Sequence, residues 1–351
     1  MSEITGSILE SVGKTPMIAL NKVTQGSKHK FFAKVEYFNP GGSIKDRVAV
    51  SMIEEAERRG DLKPGGTIVE ATSGNTGVGL ALVGAVKGYK CIFVMPEKMS
   101  DEKRAILRAY GAKVVLTPTN VEPDHPMSHY SVSKKIAAET PGAFLVNQFF
   151  NADNPEQHYR TTGPEVWKQM DGKIDYLVGG AGTGGTLSGC AKFLKEKKSS
   201  VKVICADPIG SILYDLYYHK KIVNPPGSYK VEGVGEDMLP GNVHLDRYDG
   251  FVQVSDKEAF DMTRRLVAEE GLLVGPSSAL ALVGAIKATE KIEQPQNIVV
   301  VFADSGRAYL SKAFNDKWMV ENGLLEPKQI ENAFNRVISA EEALNDLKNN
   351  R

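Results

Sequence analysis

Short apolar runs alternate with stretches in which apolar residues return every third or fourth position, and this alternation continues through most of the chain. The runs FFAKVEY (31–37), TIVEA (67–71), KCIFVMP (90–96), KVVLTP (113–118), DYLVGG (175–180), VKVICADP (201–208) and NIVVVFAD (297–304) predict β-strands. Most are separated by helical patterns at 44–59, 75–88, 101–110, 126–140, 157–170, 184–197, 257–270 and 277–289. Strands this short and apolar, with helices between them, predict a mainly parallel sheet covered on both faces. A chain of 351 residues is long enough for two such sheets. No internal repeat or low-complexity segment interrupts the pattern, and the polar, helical tail from 326 to 351 is too short for another domain.

Composition changes this picture little. Hydrophobic residues make up 42% and charged residues 25%, an ordinary globular balance. Forty-three basic residues offset forty-three acidic ones, so charge gives no reason to expect nucleic acid or an anionic membrane as a partner. No apolar run approaches the roughly 18 residues of a membrane span. The opening MSEITGSILESVGKTP has no basic region followed by an apolar core, and a cytoplasmic location is the expectation. Cys91, Cys190 and Cys205 lie far apart in apolar stretches without metal-ligand spacing, and read as buried thiols. Glycine is the one excess, 34 residues where the usual share is ~7%. The glycines cluster in loops, where backbone must approach a ligand.

Three of these loops carry the candidate chemistry. In NPGGSIKDR (39–47), Ser43 is placed to cap a helix, with Asp46 completing a capping box. Ile44, Val48, Met52 and Ala56 supply the apolar stripe, which puts Lys45 at the second helical position. The helix dipole there disfavours a cation. Such a lysine is either a solvated surface group or an amine tuned to bond an aldehyde. In ATSGNTGVG (71–79), Thr72, Ser73, Asn75 and Thr76 gather more donors at a helix start than one cap requires, a setting for a carboxylate or phosphate. In GGAGTGGTLSG (179–189), glycines after a strand let backbone N–H groups close around an anion. No lysine follows in Walker fashion, which argues against a P-loop ATPase. Gly180, Gly182 and Gly185 also fit G-x-G-x-x-G, with Asp207 ending the next strand, so dinucleotide binding stands as a rival.

Together, in this order and spacing, the three stretches resemble the fold-type-II pyridoxal-phosphate enzymes, in particular the cysteine synthase and cystathionine β-synthase family. The resemblance runs from about residue 5 to 325. It implies an α/β fold of the tryptophan synthase β kind, with two domains, each a mainly parallel sheet flanked by helices. The smaller, mobile domain would span 43–148 and carry the carboxylate loop. The larger would combine 1–42 with 149–325 and carry the phosphate loop, leaving 326–351 as a tail. The implied cofactor is pyridoxal 5'-phosphate, joined to Lys45 as an internal aldimine. Gly182, Thr183, Gly184, Gly185 and Thr186 would hold its phosphate, Asn75 its ring hydroxyl, and Ser277 would face its pyridine nitrogen. Thr72, Ser73, Thr76 and Gln148 would clasp the substrate carboxylate, and no metal is implied. Lys45 would then take the Cα proton, a β-substituent would leave to give an aminoacrylate, and a thiolate would add. The resemblance further implies a homodimer.

Within the family, PTNVEPDHPMSHY (118–130), ADPIGSIL (206–213), VEGVGEDMLP (231–240) and DSGRAYLSKAFNDKWM (304–319) lean toward cystathionine β-synthase. NQFFNADNPEQHYRTTGPEVW (147–167) looks like a cysteine synthase, and Phe149 stands where many cystathionine β-synthases carry tyrosine. The expected reaction condenses serine or O-acetylserine with homocysteine to give cystathionine. Cysteine formation from O-acetylserine and sulfide is the alternative. An NAD-binding dehydrogenase and a non-catalytic binding relative are alternatives of other classes. Glu236 or Asp237 is a candidate acceptor for the thiol's amino group, against the plainer reading of two solvated loop acids. His125 and His129 read as a polar cap near the cleft. Asp304 and Ser305 end a strand where ligands gather, and would support the pyridine side. Glu97, Lys98, Lys103 and Arg104 read as a solvated helix face. With no Cys or His before His29, no haem is expected, and the 26 residues after Leu325 are too few for paired regulatory domains.

Overall fold

The computed structural model describes residues 4–327, apart from 73, 98, 100, 120 and 123, together with 339 and 340. The chain divides into two compact units, Met1–Ala308 and Tyr309–Arg351. The first contains, in chain order, β1 (Met17–Leu20), β2 (Lys30–Val35), α1 (Lys45–Arg59), β3 (Thr67–Ala71), α2 (Asn75–Lys87), β4 (Lys90–Pro96), α3 (Asp101–Ala109), β5 (Lys113–Thr117), α4 (His129–Glu139) and β6 (Ala143–Leu145). There follow α5 (Asp153–Gln157), α6 (Gly163–Gln169), β7 (Tyr176–Gly180), α7 (Gly185–Lys197), β8 (Lys202–Pro208), α8 (Leu213–His219), β9 (Gly250–Val254), α9 (Asp256–Glu270), α10 (Pro276–Thr289) and β10 (Asn297–Phe302). In the second unit, α11 (Asp316–Glu321) is capped by Asn315, whose side chain accepts from Trp318 N, and buries Met319.

The first unit carries two sheets. One has the order β1-β2-β10-β7-β8-β9 and the other β5-β4-β3-β6. All pairings are parallel except β1 with β2. This is the parallel, helix-covered architecture that the apolar strands predict, and β3 is buried at all five positions. All seven sequence-predicted strands form. The three missed ones are weak signals. β1 and β6 have only four and three residues, and β9 opens on Gly250 with the polar Gln253 inside it. The helix expected at 157–170 begins earlier, at Asp153, and carries a π-helical segment, His158–Thr162, between α5 and α6, with Pro164 in the first turn of α6.

Two apolar clusters hold these layers. One packs Leu177, Leu187, Cys190, Leu194 and Val203 around β7, α7 and β8, and the other packs Met52, Ile53, Ile68, Leu80 and Phe93 around α1, β3, α2 and β4. Each fully buried aliphatic or aromatic side chain contributes about 1.5–3 kcal/mol. α10 is buried nearly all round, including Ala279, Leu280, Ala281 and Leu282, as expected of a helix that is apolar on every face. The three cysteines are free and buried, and burial pushes their thiol pKa values up.

Candidate functional site

Lys45 is held by a stitch between the loop before α1 and the end of β10. Ile44 N donates to Ala303 O (2.8 Å), Ser305 N donates to Gly42 O (3.2 Å), and Ser43 bridges Asp304. The start of α1 differs from the expected capping box. Ile44 is the N-cap and makes no side-chain cap, so Lys45 is the first helical residue. Ser43 Oγ accepts from Lys45 N (3.2 Å), and the Asp46 carboxylate turns back to accept from Gly41 N (2.5 Å). Asp46 is needed there because the NPGG turn has no partner of its own for that N–H.

Burial lowers the pKa of Lys45 below the ordinary 10.5, while Glu236 and Asp304 pull it partly back. The direction is the one expected of Lys45, but its first cause is desolvation rather than the helix dipole. Glu236 faces inward. A Cβ placed on Gly182 would lie 3.6 Å from Glu236 Oε1. Burial first, then Asp237, raises the Glu236 pKa to about 8, with Lys45 opposing. Asp237 is exposed.

The carboxylate loop follows β3. Asn75 opens α2, and its Nδ2 donates to Asp304 Oδ2 (2.8 Å), tying this loop to the end of β10 beside Lys45. Thr76 Oγ1 donates to Gln148 Oε1 (2.6 Å), and Thr72 Oγ1 accepts from Gly74 N and Gly77 N (both 3.3 Å). Thr72, Thr76 and Gln148 are all buried, so three of the four residues expected to clasp a carboxylate gather in one place. Ser73 lies outside the described residues. The sequence reading missed Glu70, whose carboxylate accepts from Asn147 N (2.7 Å) and Gln148 N (3.3 Å) and positions Gln148 from below. Its signal was there: an acid inside the apolar strand TIVEA needs buried partners.

The glycine loop follows β7 and opens α7. Gly184 has φ +83, and a Cβ on it would run into Val243; one on Gly185 would run into Asn154. Both positions are closed to side chains, which leaves backbone at the positive end of a 13-residue helix. Thr183 Oγ1 accepts from Asn154 Nδ2 (2.9 Å), and Thr186 Oγ1 lies 3.2 Å from His158 Nε2. Ser277, at the start of α10, is buried, and its hydroxyl makes no hydrogen bond among the described residues. Gly275 N donates to Asp304 O (3.1 Å), which sets α10 against the same strand end. A glycine cradle for an anion, a desolvated amine and an unspent serine hydroxyl form a donor set that suits a phosphate-bearing aromatic aldehyde.

Other expectations are corrected. Lys103 pairs with Glu232 across to the 231–240 loop rather than standing in solvent, while Lys98 lies outside the described residues. His125 is exposed, and its Nδ1 accepts from Met127 N (3.1 Å). The His129 ring lies tilted against Tyr130, with ring centroids 4.0 Å apart and planes at 36°. No group of three or more His, Cys, Asp or Glu suited to a metal occurs among the described residues. Nor is any helix among them long and apolar enough to cross a membrane. Asp207 is fully buried and accepts from Tyr214 N (3.0 Å), so it is not presented to a ribose.

Residues 8–304 match the family described as pyridoxal-phosphate dependent enzyme. The chain belongs to that family. This pyridoxal-phosphate enzyme is 47% identical to cystathionine β-synthase of Oryctolagus cuniculus, over 93% of its own length and 60% of the relative's. It is 42% identical to cysteine synthase of Staphylococcus aureus, over 87% of its length and 95% of that protein's. It therefore spans only about 60% of the rabbit cystathionine β-synthase. Among solved structures it resembles an O-acetylserine dependent cystathionine β-synthase from Helicobacter pylori (TM-score 0.81, 36% identity, 89% of this chain and 99% of that one). It also resembles a hydrogen sulfide-producing enzyme from Fusobacterium nucleatum (TM-score 0.79, 35% identity, 88% and 99%). These relatives make it a fold-type-II member of the cystathionine β-synthase and cysteine synthase family, and the dehydrogenase reading of the glycine loop falls away.

Proposed function

We propose that the enzyme catalyses a β-replacement that condenses serine or O-acetylserine with homocysteine to give cystathionine. The observation that carries the choice of thiol is Glu236, a carboxyl turned inward against Gly182 and toward Lys45, with Asp237 beside it. A sulfide nucleophile has no use for such an acceptor, whereas the ammonium of an amino-acid thiol does. The Helicobacter relative, named as O-acetylserine dependent, supports the acetylated donor.

In this reading Lys45 would bond the cofactor aldehyde, Gly182, Thr183, Gly184, Gly185 and Thr186 would receive its phosphate, Asn75 its ring hydroxyl, and Ser277 would face its pyridine nitrogen. When bound, the cofactor supplies an electron sink for the Cα carbanion. Thr72, Ser73, Thr76 and Gln148 orient the substrate carboxylate. The Lys45 amine, kept neutral-leaning by burial, removes the Cα proton and later returns it. The β-substituent leaves with its bonding pair, as acetate or, once protonated, as water, and the thiolate sulfur bonds the β-carbon. Residues 43–148 act as a mobile unit that closes on substrate, and the enzyme works as a cytoplasmic homodimer. Protease sensitivity with and without substrate checks the first of these, and sedimentation of the purified chain checks the dimer.

Cysteine synthesis from sulfide is the second reading, favoured by the near-complete overlap with the staphylococcal cysteine synthase. Serine and O-acetylserine, each offered with sulfide and with homocysteine, decide between them when products are identified by mass. Cystathionine is expected as the main product; cysteine alone, in every pairing, would overturn the proposal.

A further inference from the structure

The two threonines of the cradle are served from behind by one helical face. Asn154 lies in α5, and His158, four residues on, opens the π-turn. Asn154 Nδ2 donates to Gln148 O (3.0 Å) and to Thr183 Oγ1 (2.9 Å). A carbonyl oxygen only accepts, so the atom facing Gln148 O must be the NH2, which therefore also donates to Thr183 Oγ1. The Thr183 hydroxyl proton then has no acceptor among the described residues.

His158 is fully buried, with Nδ1 2.9 Å from Thr162 Oγ1 and Nε2 3.2 Å from Thr186 Oγ1. Burial, with Arg47 and Lys45 adding to it, holds its pKa well below 6.5, so the ring is neutral, with one donor and one acceptor nitrogen. Thr162 decides which. It too is fully buried, and its hydroxyl meets no other hydrogen-bond partner among the described residues. Were Nδ1 the donor, the Thr162 proton would be stranded in the interior without an acceptor. With Nδ1 as acceptor, Thr162 donates to it, and Nε2–H donates to Thr186 Oγ1. The Thr186 proton is then also left unspent, at the N-terminus of α7.

We infer that Asn154 and His158 are positioning residues that donate to the oxygens of Thr183 and Thr186 from behind, so that both hydroxyl protons point to the anionic oxygens of the cofactor phosphate. This rests on the proposed seat of the phosphate at 182–186. The opposite arrangement would turn two oxygen lone pairs toward an anion. It also explains why Gly185 and Gly189 are glycines. A Cβ on Gly185 would displace Asn154, and one on Gly189 would meet Pro155 O and the His158 side chain, so α7 could not approach the face that carries both residues.

Two measurements test it. In holoenzyme labelled with 15N-histidine, long-range 1H–15N spectra should show His158 protonated at Nε2 and bare at Nδ1, with assignment from the spectrum of His158→Gln. A ring protonated at Nδ1 overturns the inference. The second measurement titrates resolved enzyme with pyridoxal phosphate and with pyridoxal, which lacks the phosphate. His158→Phe should weaken the phosphate ester by about tenfold or more, the cost of a charge-assisted hydrogen bond, and leave pyridoxal binding little changed. His158→Gln, which keeps a donor NH2, should recover most of the loss. Equal weakening of both ligands means a structural role only and overturns the inference. The double variant Thr183→Val/Thr186→Val separates the levels. If it leaves the preference for the phosphate ester intact, the seat at 182–186 is wrong. If it abolishes the preference while His158→Phe does not, only the positioning role fails.

Discussion

The glycine cradle at 182–186 and the carboxylate loop at 72–76 look alike in sequence, each a strand followed by small polar residues and a helix start. In the structure they are prepared differently. In the cradle, Thr183 Oγ1 is occupied from behind by Asn154, and Thr186 Oγ1 lies against His158, in a turn whose glycines admit no side chain. In the carboxylate loop the Thr76 proton is already spent on Gln148 Oε1 (2.6 Å), and Thr72 Oγ1 accepts from Gly74 and Gly77 within its own turn. An anion entering the cradle meets a finished site. In the proposed reading, a carboxylate entering the other loop would first have to separate Thr76 from Gln148. Preorganisation is worth affinity, and rearrangement costs it. That division suits a resident cofactor on one side and an exchanging substrate on the other.

The largest effect comes from removing the amine that both regions serve. Lys45→Ala should lower turnover by roughly 10²–10⁴-fold. Borohydride treatment of the wild-type enzyme should leave a cofactor mass adduct on the peptide carrying residue 45 and none in the variant; an adduct elsewhere, or undiminished turnover, would break the assignment. Next comes the cradle itself. Gly184→Ala places a Cβ at a φ of +83 and into Val243. It should cost about 1–3 kcal/mol of stability through overpacking and strain and lower affinity for pyridoxal phosphate. Denaturant melts and cofactor titration read the two effects separately. An alanine at 184 with unaltered cofactor affinity would make the cradle less finished than described.

Much of this was legible in the chain. The parallel architecture follows from seven apolar strands, and the three loops announced themselves because small polar residues and glycines at strand ends have few other uses. The environment of Lys45 was half legible. The helix start is visible in NPGGSIKDR, but the charged groups that act on its amine, Asp304 just past β10 and Glu236 in the 231–240 loop, are distant in sequence. The capping box was misread because Asp46 had a nearer obligation, the Gly41 N–H. Asn154 was hidden because the predicted helix began only at 157, whereas the observed one begins at Asp153 and puts Asn154 and His158 four residues apart on one face. Lys103 looked solvated because its partner, Glu232, lies 129 residues away.

A smaller effect concerns the support beneath the carboxylate loop. Burial raises Glu70 to about 7 even though two backbone N–H groups donate to it. A carboxyl whose folded pKa is raised adds stability that is complete below the unfolded value, near 4.5, and is lost as pH rises through the folded one. Glu70→Gln cannot ionise. The stability difference should therefore shift toward the variant by about 1–3 kcal/mol between pH 5 and pH 8. Melts of both proteins across that range check it, and parallel curves would mean that Glu70 does not take up a proton on folding.

The smallest effect is the most direct test of the contrast between the loops. Thr76→Val removes a hydroxyl that is spent on Gln148 in the free enzyme and is free for substrate only after that bond opens. What is lost on binding is a substrate hydrogen bond less the internal one it replaces, a net of about 1 kcal/mol, or roughly fivefold. The KM for the amino-acid donor should rise by that factor, with cofactor affinity unchanged, since among the described residues the Thr76 hydroxyl bonds Gln148 and no residue of the cradle. Were Thr76 as preorganised as Thr186, the same deletion would remove an uncompensated, charge-assisted bond and cost about 1.5–3 kcal/mol, more than tenfold. A fivefold rise therefore supports a loop that rearranges. A rise of tens of fold would place the two loops in the same class and remove the distinction between a finished cradle and an adaptable clasp.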